Sequence, residues 1–331
     1  MPAAGLGRHA VSGAAAGAAA LSRAQGCLLG HLAGDALGSQ VEFMTAAAIA
    51  AQHPDGGPRD LGPAAQWGTL PGQPTDDGEM MLALAHVLVE HGDHEATAAR
   101  AAYEQWLASD PFDRGTTIVR ALTGTPDPES QANGALMRAA PLGVLGARLG
   151  EDHAAACARR DAALTHPHPI CVQASGLYVT AITRAVVTGC SAVELAAFID
   201  EAATAPIVTE PALRAALDRA REAPPADFQT HMGWVLVALG NAIWQLRHAP
   251  SLEAALVDTV RRGGDTDTNA CVCGGLLGSV YGIQNIPSRW LAVLRDCRPG
   301  RGQPGDATCR PRDYWPGGAE ALAGRLLGAR A

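Results

Sequence analysis

Two short acidic clusters stand directly before apolar, helix-periodic segments, and both could hold a metal ion. The first is Thr75-Asp76-Asp77-Gly78-Glu79, and the second is Asp265-Thr266-Asp267-Thr268. One such residue at each place would cap a helix, because its side chain accepts hydrogen bonds from free N–H groups of the first turn. Four Asp carboxylates exceed what two caps need, and a bound cation relieves their repulsion. Together the clusters favour a hard divalent cation such as Mg²⁺, Mn²⁺ or Ca²⁺.

The second cluster begins like a calcium-binding loop, but its later positions do not fit one. In that loop the sixth residue is glycine and the twelfth is a bidentate glutamate. Counted from Asp265, these positions hold Ala270 and Leu276. We therefore reject a calcium loop of this type.

Composition excludes several other chemistries. The chain of 331 residues contains no lysine, so Schiff-base catalysis and a lysine-containing phosphate loop cannot occur. Its eight cysteines include no Cys-x-x-Cys pair, which argues against a zinc site or a disulfide framework and fits a reducing cytoplasm. The net charge of −8 gives no general attraction to nucleic acid. We expect the arginines from Arg289 to Arg312 to lie in a solvated tail.

The elements that position the acidic clusters are predicted to be helices. Apolar residues recur at three-to-four spacing, strongly over 77–91, 133–149, 169–188, 231–247 and 266–282, and more weakly over 95–108, 151–164, 191–203, 209–222 and 251–262. Convincing strand alternation is absent, so the pattern predicts an all-α fold. No stretch of 18 uncharged apolar residues appears, so we expect no membrane span.

The chain is expected to have two parts. Residues 1–22 are rich in Ala and Gly, and we expect them to form a disordered extension. Residues 23–331 are expected to form a single all-α catalytic domain with a loop-rich C-terminal segment. The domain opens with glycines spaced four apart, which we interpret as a smooth ridge for close helix packing; they are Gly26, Gly30, Gly34 and Gly38.

Six or more short motifs follow one another over residues 24–283. They are Gly26–Gly38 with Glu42-Phe43, then Thr75-Asp76-Asp77, Asp113–Thr117, Asn133–Pro141, Thr165-His166, Gly233-Trp234-Val235 and Gly263–Thr268. One of them alone would be weak support. In this order they resemble the ADP-ribosylglycohydrolases, including the dinitrogenase reductase-activating glycohydrolases.

The resemblance implies a compact orthogonal helical bundle around two divalent cations, Mg²⁺ or Mn²⁺. It implies six metal ligands, namely Thr75, Asp76, Asp77, Asp265, Asp267 and Thr268. The expected catalytic residues are Glu42, beside the metals, and Asp113, facing the substrate. Residues implied to bind ADP-ribose are Asn133, Gly134, His166 and Trp234. Trp234 could stack on adenine, and an ordinary core tryptophan is the alternative.

Three positions depart from the family pattern. Family members often have Asp-Ile-Gly-Asn where this chain has Asp113-Arg114-Gly115-Thr116, serine where Ala135 stands, and tyrosine where Trp234 stands. The implied metal ligands are intact, so hydrolysis is expected. Because Thr116 and Ala135 lie where family members contact substrate, the identity of the modified side chain stays open.

The expected activity is hydrolysis of the N-glycosidic bond between ADP-ribose and a protein side chain, with arginine favoured. Such a reaction has an oxocarbenium-like transition state, and Glu42 or Asp113 could deprotonate the attacking water. One alternative is hydrolysis of another ADP-ribose linkage or of a nucleoside adduct. Another is an immunity protein that binds an ADP-ribosylating toxin. Loss of turnover on metal removal would separate an enzyme from a binding protein.

Overall fold

A computed structural model describes residues 6–204, 208–300 and 308–328. Over these residues the chain forms fifteen α-helices and no β-strand, which confirms the predicted all-α fold. The helices α1 to α15, in chain order, are Leu6–Gly38, Ala46–Gln52, Asp76–His91, Ala96–Ala108, Thr116–Leu122, Ala140–Leu149, Glu151–Ala163, Pro169–Thr188, Ala192–Thr204, Pro211–Arg219, Val235–His248, Leu252–Val260, Thr266–Tyr281, Ser288–Asp296 and Ala319–Leu326.

The α13 helix forms the centre of the bundle. It is buried continuously from Thr266 to Ser279, as expected for a helix that other helices surround on all sides. The α1 helix packs antiparallel along it through the predicted glycine ridge. A Cβ atom at Gly30 would clash with the carbonyl oxygen of Gly274, and one at Gly34 would clash with that of Ala270. This close approach brings the end of α1 to the start of α13.

The segment 133–139 corrects the predicted helix over 133–149, because α6 begins only at Ala140. The backbone N–H of Asn133 donates to the Gly233 carbonyl oxygen at 2.9 Å. The Asn133 side chain donates to Asp265 at 2.7 Å. Asn133 is thus bonded to two distant segments, and the residues after it form local turns, such as the bond from Leu136 N to Asn133 O at 2.8 Å. The apolar spacing shows none of these partners.

The C-terminal arginines are not all solvated, which corrects a second expectation. Arg310 is only 4% exposed. Its Nε donates to Glu79 Oε1 at 2.7 Å, and its Nη1 donates to the Ser109 carbonyl oxygen at 2.9 Å. A buried carboxylate such as Glu79 requires a partner, and the chain supplies it from the C-terminal segment.

Two further expectations concern the N terminus and membranes. The α1 helix begins at Leu6, within the stretch 1–22 expected as a disordered extension, and residues 1–5 lie outside the described part.

One described helix, Pro169–Thr188, is long and apolar enough to cross a membrane, but 72% of its most apolar window is buried within the protein. Core helices commonly have this character, so it is weak support for a span. The single-domain assignment of 23–331 stays a prediction.

Candidate functional site

The two acidic clusters meet at Thr75, which immediately precedes α3. Thr75 Oγ1 lies 3.2 Å from Asp77 Oδ2 and 3.5 Å from Asp267 Oδ2. Thr75 and Asp265 occupy the N-cap positions of α3 and α13, yet neither side chain makes a capping hydrogen bond. The capping alternative therefore does not account for these residues.

Asp35, on the last turn of α1, holds this arrangement together. Its carboxylate accepts hydrogen bonds from the backbone N–H groups of Thr75, at 3.1 Å, and Gly78, at 2.9 Å. Thr75 Oγ1 also donates to Asp35 Oδ1 at 3.0 Å. Asp35 is not among the site residues predicted from the sequence. Its position one residue after Gly34 was the available signal.

Glu42 reaches the same place from the loop after α1. Oxygen atoms of Glu42, Asp265 and Asp267 all lie within 4.8 Å of one another. Trp67 Nε1 donates to Glu42 Oε2 at 2.9 Å, so the long segment between α2 and α3 orients this carboxylate. Asn133 Nδ2 similarly holds Asp265 Oδ2.

These residues form one buried acidic cluster, which we define as Asp35, Glu42, Asp76, Asp77, Asp265 and Asp267. Burial raises the pKa of Glu42 to about 9, with further contributions from Asp113 and Asp265. Burial and then Asp265 raise the pKa of Asp77 to about 7. Within the described ranges, no arginine or histidine forms an ion pair with the cluster. Uncompensated carboxylates with neighbouring threonine oxygens are a donor set that fits a hard divalent cation.

A cavity of about 370 Å³ opens beside the acidic cluster, within the size range of small-molecule sites. Its lining includes Glu42, Asp76, Asp77, Asp113, Thr116, Asn133, Gly134, His166, Asp265 and Thr268. Ten of the residues singled out from the sequence therefore share one cavity wall. The Asp113 loop is tied to the cluster because the Gly115 N–H donates to Asp76 Oδ2 at 3.2 Å.

His166 is buried at the cavity wall, although an isolated histidine at such a position would ordinarily be exposed. Its Nδ1 lies 2.8 Å from Thr165 Oγ1, whereas its Nε2 is buried without a hydrogen-bond partner. Burial, and then the charge of Arg138, lower the pKa of His166 to about 3. The ring is therefore neutral at pH 7 and has one nitrogen available to a ligand.

Trp234 and Ala135 lie apart from this cavity. Trp234 is half-buried, its Nε1 donates to Gln131 Oε1 at 2.9 Å, and it lines a neighbouring cavity of about 600 Å³. The two cavities share Gly233 and Ala132. Ala135 is 1% exposed and lines neither one. Of the two departures expected to contact substrate, only Thr116 lines a cavity beside the cluster.

Comparison with known proteins gives the same assignment for the whole chain. The family model for ADP-ribosylglycohydrolase matches residues 16–330. The chain is 31% identical to the ADP-ribosyl-dinitrogen reductase glycohydrolase of Rhodospirillum rubrum, over 82% of this chain and 90% of that protein. It is 28% identical to the ADP-ribosylarginine hydrolase Tri1 of Serratia proteamaculans, over 83% of this chain and 75% of that protein.

The fold agrees with these sequence matches. A solved structure described as an ADP-ribosylglycohydrolase-related protein complex superposes with a TM-score of 0.75 and 27% identity, covering 94% of this chain and 98% of the other. The motif order, the helical bundle and the acidic cavity therefore lead to one conclusion. The chain belongs to the ADP-ribosylglycohydrolase family of hydrolytic enzymes.

Proposed function

We propose that the protein is a metal-dependent hydrolase of the N-glycosidic bond between ADP-ribose and an arginine side chain of a modified protein. The observation that carries this proposal is one cavity in which Asp113 and Glu42 lie beside a buried, uncompensated acidic cluster. The relative from Serratia is named for hydrolysis of ADP-ribosylarginine. The eight free cysteines are consistent with a cytoplasmic enzyme.

The proposed metal site would hold two divalent cations, Mg²⁺ or Mn²⁺. Its ligands would be Thr75, Asp76, Asp77, Asp265, Asp267 and Thr268, all of which are buried. Bound in pairs, such ions can orient the sugar and an attacking water and make that water more acidic. Asp35 would instead position the ligands, because its carboxylate accepts hydrogen bonds from the backbone N–H groups of Thr75 and Gly78 at the start of α3.

Asp113 and Glu42 supply the acid–base chemistry in this proposal. The guanidinium ion has a pKa of roughly 12.5–13.8, so the modified side chain is cationic at pH 7. Cleavage of its bond to the ribose releases neutral guanidine, which takes up the proton that the attacking water loses. A carboxylate at Asp113 would hold the cationic side chain by charge-assisted hydrogen bonds. Either Asp113 or Glu42 would accept the proton of the attacking water, and separate substitutions distinguish the two roles.

The rest of ADP-ribose would lie along the cavity wall. Asn133, Gly134 and His166 offer polar atoms and a close backbone approach there, and a Cβ at Gly134 would lie 3.0 Å from His166 Cε1. The neighbouring cavity with Trp234 would take the adenine, since an aromatic face stacks on a base. Gly233 joins the two cavities.

The position of Phe43 supports a charged arginine side chain as the leaving group, in preference to an uncharged side chain. It lines the cavity, is 56% exposed and has a φ of 63°, a left-handed conformation that costs an aromatic residue energy. Paired backbone bonds hold it there, because Phe43 N donates to Gly264 O at 2.8 Å and Gly264 N donates to Met44 O at 2.9 Å. An exposed ring beside carboxylates suits a guanidinium, which stacks on aromatic faces while its N–H groups bind carboxylates.

The direct test is an assay of the purified full chain with Mg²⁺ or Mn²⁺ against arginine-linked, serine-linked and nucleoside-linked ADP-ribose. We expect release of ADP-ribose from the arginine linkage, and loss of release after chelation. Activity that survives chelation would overturn the metal dependence. Preference for another linkage would overturn the arginine assignment and leave the family assignment intact.

A further inference from the structure

A buried chain of polar side chains runs from α7 to the cavity and ends at His166. Arg138, which is 0% exposed, lies in its middle. Its Nε donates to Asp161 Oδ2 at 2.9 Å, and its Nη1 donates to Thr165 Oγ1 at 2.9 Å. Thr165 Oγ1 in turn lies 2.8 Å from His166 Nδ1. The chain therefore connects a buried ion pair to a histidine at the cavity wall.

The directions of these hydrogen bonds follow from the chemistry of the groups. An arginine side chain has only N–H donors, so Thr165 Oγ1 must accept from Arg138. The Thr165 hydroxyl proton then needs an acceptor of its own. Among the residues that the structure describes, His166 Nδ1 is the remaining partner of this oxygen. Thr165 thus donates to Nδ1, which must be unprotonated to accept.

A neutral imidazole with an unprotonated Nδ1 carries its hydrogen on Nε2. In this structure Nε2 is buried and has no hydrogen-bond partner, although His166 lines the cavity beside Gly134. Buried polar atoms without a partner are rare. A buried N–H donor at the wall of a ligand-sized cavity indicates that the missing acceptor belongs to a ligand.

We propose that Arg138 and Thr165 are positioning residues that fix His166 as the neutral Nε2–H tautomer, and that this N–H donates to an oxygen of bound ADP-ribose. The proposal rests on ADP-ribose as the ligand of the proposed function. Asp161 anchors the chain because it holds Arg138 through its side chain and through its carbonyl oxygen, which accepts from Nη2 at 2.9 Å.

The tautomer can be read directly by nitrogen NMR of the full chain labelled with ¹⁵N-histidine. A His166→Gln variant identifies the His166 signals. In the wild type at pH 7 we expect a protonated Nε2 and an unprotonated Nδ1. An Nδ1–H tautomer, or a mixture of the two, would overturn the proposal without any further variant.

Thr165→Val tests the relay of hydrogen bonds that runs from Arg138 through Thr165 to His166. Thr165→Ser is its matched control because it keeps the hydroxyl. We expect Thr165→Val to lose the single Nε2–H tautomer and to bind ADP-ribose about ten-fold more weakly in calorimetry, as for a lost hydrogen bond to a charged ligand. Thr165→Ser should retain the wild-type tautomer and Kd. A Thr165→Val protein with either property unchanged would overturn the relay. Failure of the wild type to bind ADP-ribose would instead overturn the proposed function, while the tautomer measurement still decides whether the relay exists.

Discussion

The Asp35 carboxylate at the end of α1 accepts a hydrogen bond of 2.9 Å from the backbone N–H of Gly78 in the first turn of α3. That N–H is one that the helix's own N-cap residue would ordinarily bind. Here the N-cap residue Thr75 makes no such bond, because a residue from another helix replaces it. The tertiary cap leaves the Thr75 hydroxyl beside Asp77 and Asp267 instead.

The close packing of α1 on α13 is needed to place Asp35. We predict that Gly34→Ala lowers the free energy of unfolding by about 1–3 kcal/mol, because the added methyl would clash with the Ala270 carbonyl oxygen. Gly17→Ala in the same helix is the control, since nothing lies within 4 Å of its Cβ position. It should be neutral or gain up to about 1 kcal/mol. Equal stability of the two variants in urea unfolding would contradict the packing argument.

Asp113→Asn tests the role proposed for the Asp113 carboxylate. It keeps the shape of the side chain and removes the charge that would hold a guanidinium. We expect kcat on ADP-ribosylarginine to fall by at least about 100-fold, with the affinity for Mn²⁺ within a few-fold of wild type. Steady-state kinetics and metal titration measure the two effects. Unchanged turnover would remove Asp113 from the proposed mechanism.

Phe43→Leu tests the proposed recognition of the arginine side chain. Leucine keeps an apolar side chain but has no aromatic face, so KM for ADP-ribosylarginine should rise about five-fold, as for a lost cation–π contact. The Kd of ADP-ribose, which lacks the guanidine, should not change. Val193→Ala is the control, because Val193 is 79% exposed and lies on α9, away from the cavity. An equal loss of ADP-ribose affinity in Phe43→Leu would show that the ring contacts a different part of the substrate.

The buried pair of Asp161 and Arg138 predicts a pH dependence of stability. Burial alone would raise the pKa of Asp161, but Arg138, His94 and Tyr103 lower it to about 2. Since this lies below the unfolded value of roughly 3.9, the stabilisation is complete at neutral pH and is lost as the pH falls from about 4 to about 2.

Removal of the Asp161 carboxylate should therefore lower the free energy of unfolding most at neutral pH. Asp161→Asn leaves Arg138 buried without its partner charge and should cost about 3–5 kcal/mol at pH 7. The difference in free energy of unfolding between the variant and the wild type, measured in urea, should become smaller below about pH 4. Asp200→Asn, at a partly exposed ion pair with Arg247, should cost less than about 1 kcal/mol. A difference that is constant from pH 7 to pH 3 would contradict the low pKa of Asp161.

Local patterns in the sequence predicted much of the helical fold. The apolar spacing over 169–188 and 266–282 corresponds to α8 and α13, because long periodic segments retain their pattern in a helical bundle. It failed over 133–139, where Asn133 bonds to Asp265 and Gly233. It also missed short helices such as Ala46–Gln52, which present too few turns to establish a period.

The sequence did not predict those contacts of the candidate site that join residues far apart in the chain. The motifs indicated which residues could meet, and the structure places most of them around one cavity. The pairing of Arg310 with Glu79 joins residues 231 positions apart, and neither neighbourhood predicts it. The sequence did not predict the relay through Arg138 for a similar reason. Its residues lay partly in a segment read as a helix, where a buried arginine is not expected.

Metal binding by the acidic cluster is the central claim, and Mn²⁺ calorimetry on wild type and Asp267→Ala tests it most directly. If Asp267 only stabilises the start of α13, the variant should lose roughly 0.5–2 kcal/mol of stability and keep both Mn²⁺ binding and turnover. We predict instead a folded variant that is at least as stable as the metal-free wild type, because one buried negative charge is gone. It should lose Mn²⁺ binding and nearly all hydrolysis of ADP-ribosylarginine. Wild-type Mn²⁺ affinity in Asp267→Ala would contradict the account.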